Sequence, residues 1–132
     1  MKEKTKTWLE LAKKDLDFSG DILKNGMRSE YVVHFCHQAI EKLLKAIVQE
    51  LSNEDPKRTH NFKLLWEQGN VPLTEIQQLW LLRLMPHYLG TRYTEDIRKL
   101  HETYTDDFVS KIYQETREIF QCLEKIIISK KS

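Results

Sequence analysis

The chain has 132 residues, of which 40% are hydrophobic and 31% are charged, and its formal net charge is +1. These values predict one soluble globular domain, residues 1–132, in which only a local basic patch could attract nucleic acid. No apolar run approaches the roughly 20 residues that a membrane span needs, and the charged N-terminus is unlike a signal peptide. We therefore expect a cytoplasmic protein with no membrane association.

The first two predicted helices fill residues 5–51. The first begins at Thr5 or Thr7, either of which can cap it, and ends at Asn25-Gly26. The second, Tyr31 to Leu51, has the broadest apolar face of the chain and needs neighbours on two sides, so we expect it to be the most buried helix. Its remaining stripe is polar and either borders solvent or faces polar groups in a cleft. The stripe consists of His34, Gln38, Glu41, Lys45 and Gln49.

Two shorter helices are predicted next. Asn61 is a plausible cap for the third helix, and Thr74 with Gln77 fits a capping box for the fourth. The fourth helix is apolar almost all round from Leu79 to Met85, which requires burial by the bundle, a second subunit, or both. We therefore expect a homodimer whose interface includes part of Leu79–Met85.

The last third of the chain completes the predicted fold. Residues 87–104 are aromatic, basic and poorly periodic, which predicts a loop that can include a turn of helix. Thr105 then caps a long final helix.

Cys36 and Cys122 lie in apolar helical stripes and are expected to be small buried hydrophobes in a reducing cytoplasm. Together the elements predict an all-α fold, an antiparallel up-and-down bundle of four to five helices.

Metal and phosphate-loop motifs have little support in the sequence. His34 and His37 are three residues apart, a spacing that can place two imidazoles on one metal ion. Neither cysteine shares their stripe, however, and two histidines that face solvent or a cleft are the simpler interpretation. The four glycines do not cluster into a phosphate-binding loop, which argues against a nucleotide kinase or a dinucleotide enzyme. We expect no metal and no cofactor.

A group of basic and aromatic residues is more informative. Arginine offers bidentate donors for phosphate, and tyrosine offers a stacking face for a base. Alternatively, the tyrosines are core aromatics and Arg92 pairs with Asp96 or Glu95. The group consists of Tyr88, Arg92, Tyr93 and Arg98, with Arg58 and His60 after the polar loop.

Three stretches, in this order, resemble the HEPN-domain family. Residues 35–46, FCHQAIEKLLKA, are similar to its FHAQQAAEKALKAL stretch, and residues 58–65, RTHNFKLL, are similar to its RTHDLxxLL. Tyr88 with residues 91–96, TRYTED, resembles its Y…tRYPD. The resemblance implies an all-α bundle, commonly a homodimer, and often encoded beside a minimal nucleotidyltransferase as a toxin–antitoxin pair. Some members are RNases, and others are nucleotide-binding modules.

The resemblance also implies where to look for catalysis. RNases of the family carry an arginine, four to six residues, then a histidine, on a helix at the dimer face. The histidine transfers protons and the arginine stabilises the phosphorane charge. Arg28 and His34 have this spacing, although they open the second helix and not a later one. Arg83 and His87 are one residue too close.

We therefore expect a dimeric nucleotide- or RNA-binding module that partners a small nucleotidyltransferase. Lys45 and Arg92 would hold phosphate, and Tyr88 or Tyr93 would stack on a base. The complete predicted pocket is Glu41, Lys45, His60, Tyr88, Arg92 and Tyr93. Two alternatives are a metal-independent RNase that uses Arg28 and His34 across the dimer, and a structural dimer without a ligand.

Overall fold

Helix is the only regular secondary structure in the described part of the chain. A computed structural model describes residues 1–26, 29–87 and 97–129. These ranges contain no strand, which confirms the predicted all-α fold. Their helices are α1 (Glu3–Lys24), α2 (Ser29–Leu51), α3 (Phe62–Gln68), α4 (Glu75–Leu84), α5 (Ile97–Thr103) and α6 (Asp106–Ser129).

Helix α2 lies at the centre and packs against α1, α3 and α6. Most of its apolar face is buried, and Ile40, Leu44 and Ile47 have no exposed surface. Burying each such side chain contributes about 1.5–3 kcal/mol, so α2 organises most of the core. This confirms the prediction that residues 31–51 form the most buried helix, although Tyr31 itself is 48% exposed.

Polar contacts show that α1 runs antiparallel to α2. Near the start of α1, Thr5 Oγ1 donates a hydrogen bond to Glu50 Oε1 at 2.9 Å. Near its end, Ser19 Oγ donates to the Val32 carbonyl oxygen, also at 2.9 Å. The first residues of α1 therefore lie beside the last residues of α2.

The start of α1 differs from the prediction. Lys2 occupies the N-cap position, so the predicted caps at Thr5 or Thr7 are wrong. Thr5 lies within the helix and is buried against α2. The Lys2 ammonium group donates to the carbonyl oxygens of Gln49 and Ser52 at 3.0 and 2.9 Å. Carbonyl groups at the C-terminus of a helix have no N–H donor within the helix, so these two bonds from Lys2 stabilise the end of α2.

The predicted caps of α3 and α4 are confirmed. The Asn61 side chain accepts a hydrogen bond from the Leu64 N–H at 3.2 Å. Thr74 and Gln77 form a reciprocal capping box with distances of 2.9 and 3.1 Å. The Asn61 cap fixes the register of α3, which buries Phe62 completely.

Among the described residues, the bundle covers one side of helix α4 and leaves another side exposed. Leu81 and Leu84 are buried, whereas Ile76, Leu79 and Leu82 are 80%, 48% and 38% exposed. The three exposed residues are three apart and lie along one side of the helix. We call Ile76, Leu79 and Leu82 the α4 apolar stripe.

Two predictions about the second half are wrong. Residues 97–103 form α5, which is longer than the turn of helix predicted within the loop, because Leu100 and Tyr104 pack on the core and stabilise a helix too short to be marked by periodicity. Cys122 is exposed, since the turn of α6 that carries it buries the next residue, Leu123. Cys36 is buried as expected.

Across residues 1–26, 29–87 and 97–129, no helix combines the length and the apolar character that crossing a membrane requires.

Candidate functional site

A buried carboxylate organises the polar stripe of α2. The Glu41 side chain is only 5% exposed. Its Oε1 lies 2.7 Å from His60 Nδ1, and its Oε2 accepts a hydrogen bond from Lys45 Nζ at 3.2 Å. We call Glu41, Lys45 and His60 the charge cluster. This part of the stripe faces polar groups and does not merely border solvent.

The charge cluster fixes the orientation of the His60 ring. His60 comes from the segment between α2 and α3, and its side chain is 57% exposed. Because Nδ1 donates to the Glu41 carboxylate, the neutral ring carries its proton on Nδ1 and Nε2 points away from Glu41. A carboxylate that holds an imidazole in this way prepares it to bind an anion or to transfer a proton.

A second histidine contacts the same carboxylate from inside the core. His37 lies one turn before Glu41, is completely buried and stacks on Phe62 with ring centroids 4.4 Å apart. Burial, and then the nearby His60 and His34, lower the pKa of His37 to about 3. The ring is therefore neutral, and its 3.9 Å contact with Glu41 Oε1 is not an ion pair. The interpretation of His37 as facing solvent or a cleft is wrong, because Phe62 of α3 covers it.

A basic cleft of about 420 Å³ opens beside the charge cluster and shares Lys45 with it. Of the described residues that line this cleft, four are basic and one is acidic. The lining, which we call the basic cleft, consists of Lys4, Trp8, Lys45, Gln49, Asp55, Pro56, Lys57 and Arg58.

The cations of the basic cleft are not equally compensated. Lys45 pairs within the charge cluster, and Lys4 lies 3.2 Å from Asp55. Among the described residues, no carboxylate pairs with Lys57 or Arg58, and both are exposed. The positive charge available to a ligand is therefore concentrated at residues 57–58.

Helix α3 holds the segment that carries these cations. Gln68 Oε1 accepts a hydrogen bond from the Lys57 N–H at 2.9 Å, and Gln68 Nε2 donates to the Asp55 carbonyl oxygen at 2.9 Å. Nearer α3, Thr59 Oγ1 accepts from the Asn61 N–H at 3.1 Å. A segment fixed in this way loses less conformational entropy when a ligand binds.

Comparison with known families matches the HEPN domain model to residues 5–126. This chain is a HEPN-domain protein. The match includes all three stretches that carry the resemblance and every member of the charge cluster. As a member of this family, the chain is a helical module whose function is related to nucleotides or RNA. Comparison with curated proteins and with solved structures returned no match.

The structure brings together three of the residues predicted for the site of this HEPN domain, namely the charge cluster. Four predicted site residues lie outside the described residues: Arg28, Tyr88, Arg92 and Tyr93. His34 is half-buried, with its ring edge-on to Phe35 at a centroid distance of 5.2 Å. It is not among the described residues that line the basic cleft.

The sequence-based prediction omitted Lys4, Trp8 and Lys57. The first two lie on α1, and only the antiparallel packing of α1 on α2 brings them to residues 57–58. Two adjacent cations in a polar segment, Lys57 and Arg58, were the pattern that could have indicated the cleft. Within the described ranges, no group of three or more His, Cys, Asp or Glu side chains is placed to hold a metal ion.

A smaller cavity of about 210 Å³ lies between α4 and α6. His87 lines it, and its Nδ1 lies 2.9 Å from the Tyr104 hydroxyl oxygen. Burial lowers the pKa of His87. Arg83 and Lys111 are the basic residues among its described lining. The basic cleft, with four, is the more cationic site of this HEPN domain.

Proposed function

We propose that this HEPN domain binds the phosphate groups of a nucleotide or of RNA in the basic cleft. The observation that carries the proposal is the uncompensated cation pair, Lys57 and Arg58, on a segment of fixed shape. Phosphate oxygens accept charge-assisted hydrogen bonds from ammonium and guanidinium groups, and arginine can make two at once. His60 follows two residues later and adds an oriented imidazole.

The proposal changes the role expected for Lys45. Its ammonium group pairs with Glu41 and lies over the Trp8 ring, so it is already held by two neighbours. We assign direct phosphate contacts to Lys57 and Arg58, and we assign to Lys45 the positioning of the cleft wall. Tyr88, Arg92 and Tyr93 stay predicted members of the site.

Removing the cation pair tests this function. Lys57→Ala/Arg58→Ala should weaken binding of ATP or of a short RNA at least about tenfold, because each charge-assisted hydrogen bond contributes about 1.5–3 kcal/mol. Isothermal titration calorimetry measures the loss. The matched control, Lys14→Ala/Lys125→Ala, removes two exposed lysines from α1 and α6 and should bind as the wild type does. Equal losses in the two variants would show that net charge, and not this cleft, determines binding.

We also propose that the protein is a homodimer with the α4 apolar stripe in its interface. The support is the exposure of Ile76, Leu79 and Leu82, because contiguous exposed apolar surface commonly marks a partner site. A symmetric dimer would bury the stripe of one subunit against the same stripe of the other.

The protein partner we propose is a small nucleotidyltransferase, with the two acting as a toxin–antitoxin pair in the cytoplasm. Family membership and the resemblance described above support this partner. We expect a nucleotidyltransferase gene beside the gene for this chain, and we expect the two products to copurify when expressed together. A nucleotidyltransferase neighbour that does not copurify contradicts the partnership.

A second candidate function is metal-independent cleavage of RNA, and the contact between Glu41 and His60 favours it. A carboxylate that orients an imidazole is a common arrangement for general acid–base catalysis. If His60 is the acid or base, His60→Gln should abolish cleavage of a mixed RNA substrate in the presence of a chelator. His101→Gln, at an exposed position of α5, should leave cleavage unchanged. Intact RNA after incubation with the wild type rules this function out.

A further inference from the structure

Trp8 supplies an aromatic surface to the wall of the basic cleft. It lies on α1, is half-buried against the core, and has Lys45 Nζ 5.3 Å from its ring centroid. Glu41 lies 3.2 Å from the same Lys45 ammonium group, so the cation that contacts the indole is itself anchored. The cleft therefore has an aromatic wall beside an anchored cation.

The lining combines the two kinds of group that a nucleoside phosphate requires. Trp8 and Pro56 provide apolar surface, while Lys57 and Arg58 provide donors for phosphate. Bases of every kind stack on aromatic side chains, and basic groups follow the phosphates. An inorganic phosphate would use the cations and leave the apolar surface in water.

The size of the cleft also fits a ligand larger than phosphate. Its volume of about 420 Å³ lies in the range of small-ligand sites, roughly 300–1,000 Å³. A base against Trp8 with phosphates at the cation pair would use both parts of this space.

We propose that Trp8 stacks on the base of a nucleoside phosphate whose phosphate groups lie at Lys57 and Arg58. This inference rests on the proposed function and narrows its ligand to an unpaired nucleotide, either free or within single-stranded RNA. Bases inside an RNA duplex are already stacked on one another and are not accessible to an indole.

The test compares ATP with tripolyphosphate, which has three phosphate groups and no nucleoside. Tripolyphosphate carries at least as much negative charge as ATP, so electrostatic attraction alone gives ATP no advantage. Calorimetric titration of the wild type should show ATP binding about tenfold more tightly, the effect expected of one stacked base.

Variants at Trp8 assign that preference to the indole. Trp8→Leu should lose the preference for ATP and keep the wild-type affinity for tripolyphosphate, while Trp8→Tyr, which keeps an aromatic ring, should retain the preference. The control Trp80→Leu changes a tryptophan of the smaller cavity and should also retain it. Circular dichroism establishes that each variant is folded. The comparison of ATP with tripolyphosphate on the wild type does not depend on the folding of any variant.

The possible outcomes separate this inference from the function on which it rests. Equal affinities of the wild type for the two ligands, or equal weakening of both by Trp8→Leu, would overturn the stacking role and leave phosphate binding intact. Binding of neither ligand would overturn both proposals. With the stacking role supported, tighter binding of a short single-stranded RNA than of ATP identifies single-stranded RNA as the ligand, and the reverse identifies a free nucleotide.

Discussion

The basic cleft and the α4 apolar stripe are both exposed, but they differ in how many parts of the chain build and support them. The cleft is assembled from α1, α2 and the segment before α3, and hydrogen bonds with Gln68 fix the backbone of that segment at Asp55 and Lys57. The stripe consists of neighbouring side chains on one helix, and Ile76 is 80% exposed. Charged recognition requires groups positioned in advance, because an unpaired charge is costly to desolvate, whereas apolar association is non-directional and depends mainly on area.

The largest effect is expected at the carboxylate that supports the cleft. Glu41→Ala should lower the free energy of unfolding by about 3 kcal/mol, because it leaves the Lys45 ammonium, on a side chain only 12% exposed, without its counter-charge. Urea denaturation measures the change. The control Glu118→Ala removes an exposed carboxylate of α6 and should change stability by less than about 0.5 kcal/mol. Similar losses in both variants would mean that Glu41 contributes no more than a surface charge.

Substitutions in the α4 apolar stripe should weaken dimer association and leave folding unchanged. Ile76→Glu/Leu79→Glu should weaken the dimer by about 100-fold, equivalent to about 2.7 kcal/mol, because it places two charges in an apolar interface. Sedimentation equilibrium measures the dissociation constant.

The matched control for the stripe is Leu11→Glu. Leu11 on α1 is 38% exposed, the same fraction as Leu82, and its replacement should leave the dimer unchanged. A wild type that is monomeric at tens of micromolar, or a stripe variant that dimerises as the wild type does, contradicts the proposed interface.

A smaller effect, on the pH dependence of stability, is expected from His37, the buried one of the two histidines that contact Glu41. The pKa of His37 is lowered from 6.5 to about 3, so below pH 6.5 the unfolded chain binds a proton that the folded chain does not. The His37 contribution to stability is therefore complete above pH 6.5 and decreases, by up to about 1.4 kcal/mol per pH unit, as the pH falls toward 3.

Replacing His37 checks the pH effect. In urea denaturation at pH 7.5 and 5.5, His37→Gln should lose less stability on acidification than the wild type does. His101→Gln, which changes an exposed histidine, should show the wild-type pH dependence. An unchanged pH dependence in His37→Gln would contradict the assignment.

Local patterns were sufficient to predict much of the fold. The apolar spacing of α2 predicted its burial, and the Asn61 cap and the capping box at Thr74 depend only on nearby residues. The burial of His37 could not be predicted in this way, because Phe62, which covers it, comes from another helix.

The candidate site was predicted only in part, for the same reason. The contact of Glu41 with Lys45 follows from their spacing on one helix, and His60 was predicted as part of the group of basic and aromatic residues. Trp8 meets Lys57 and Arg58 only because α1 packs antiparallel to α2, and a pattern confined to one segment cannot show a contact between segments.

The location of the ligand is tested most directly by NMR on isotope-labelled protein titrated with ATP. We predict that the largest chemical-shift changes occur at the Trp8 indole N–H and at the backbone amides of Lys57 and Arg58. Changes concentrated instead at Arg83, His87 and Lys111, around the smaller cavity, would contradict the assignment of the basic cleft as the phosphate site. The absence of any change at saturating ATP would contradict nucleotide binding itself.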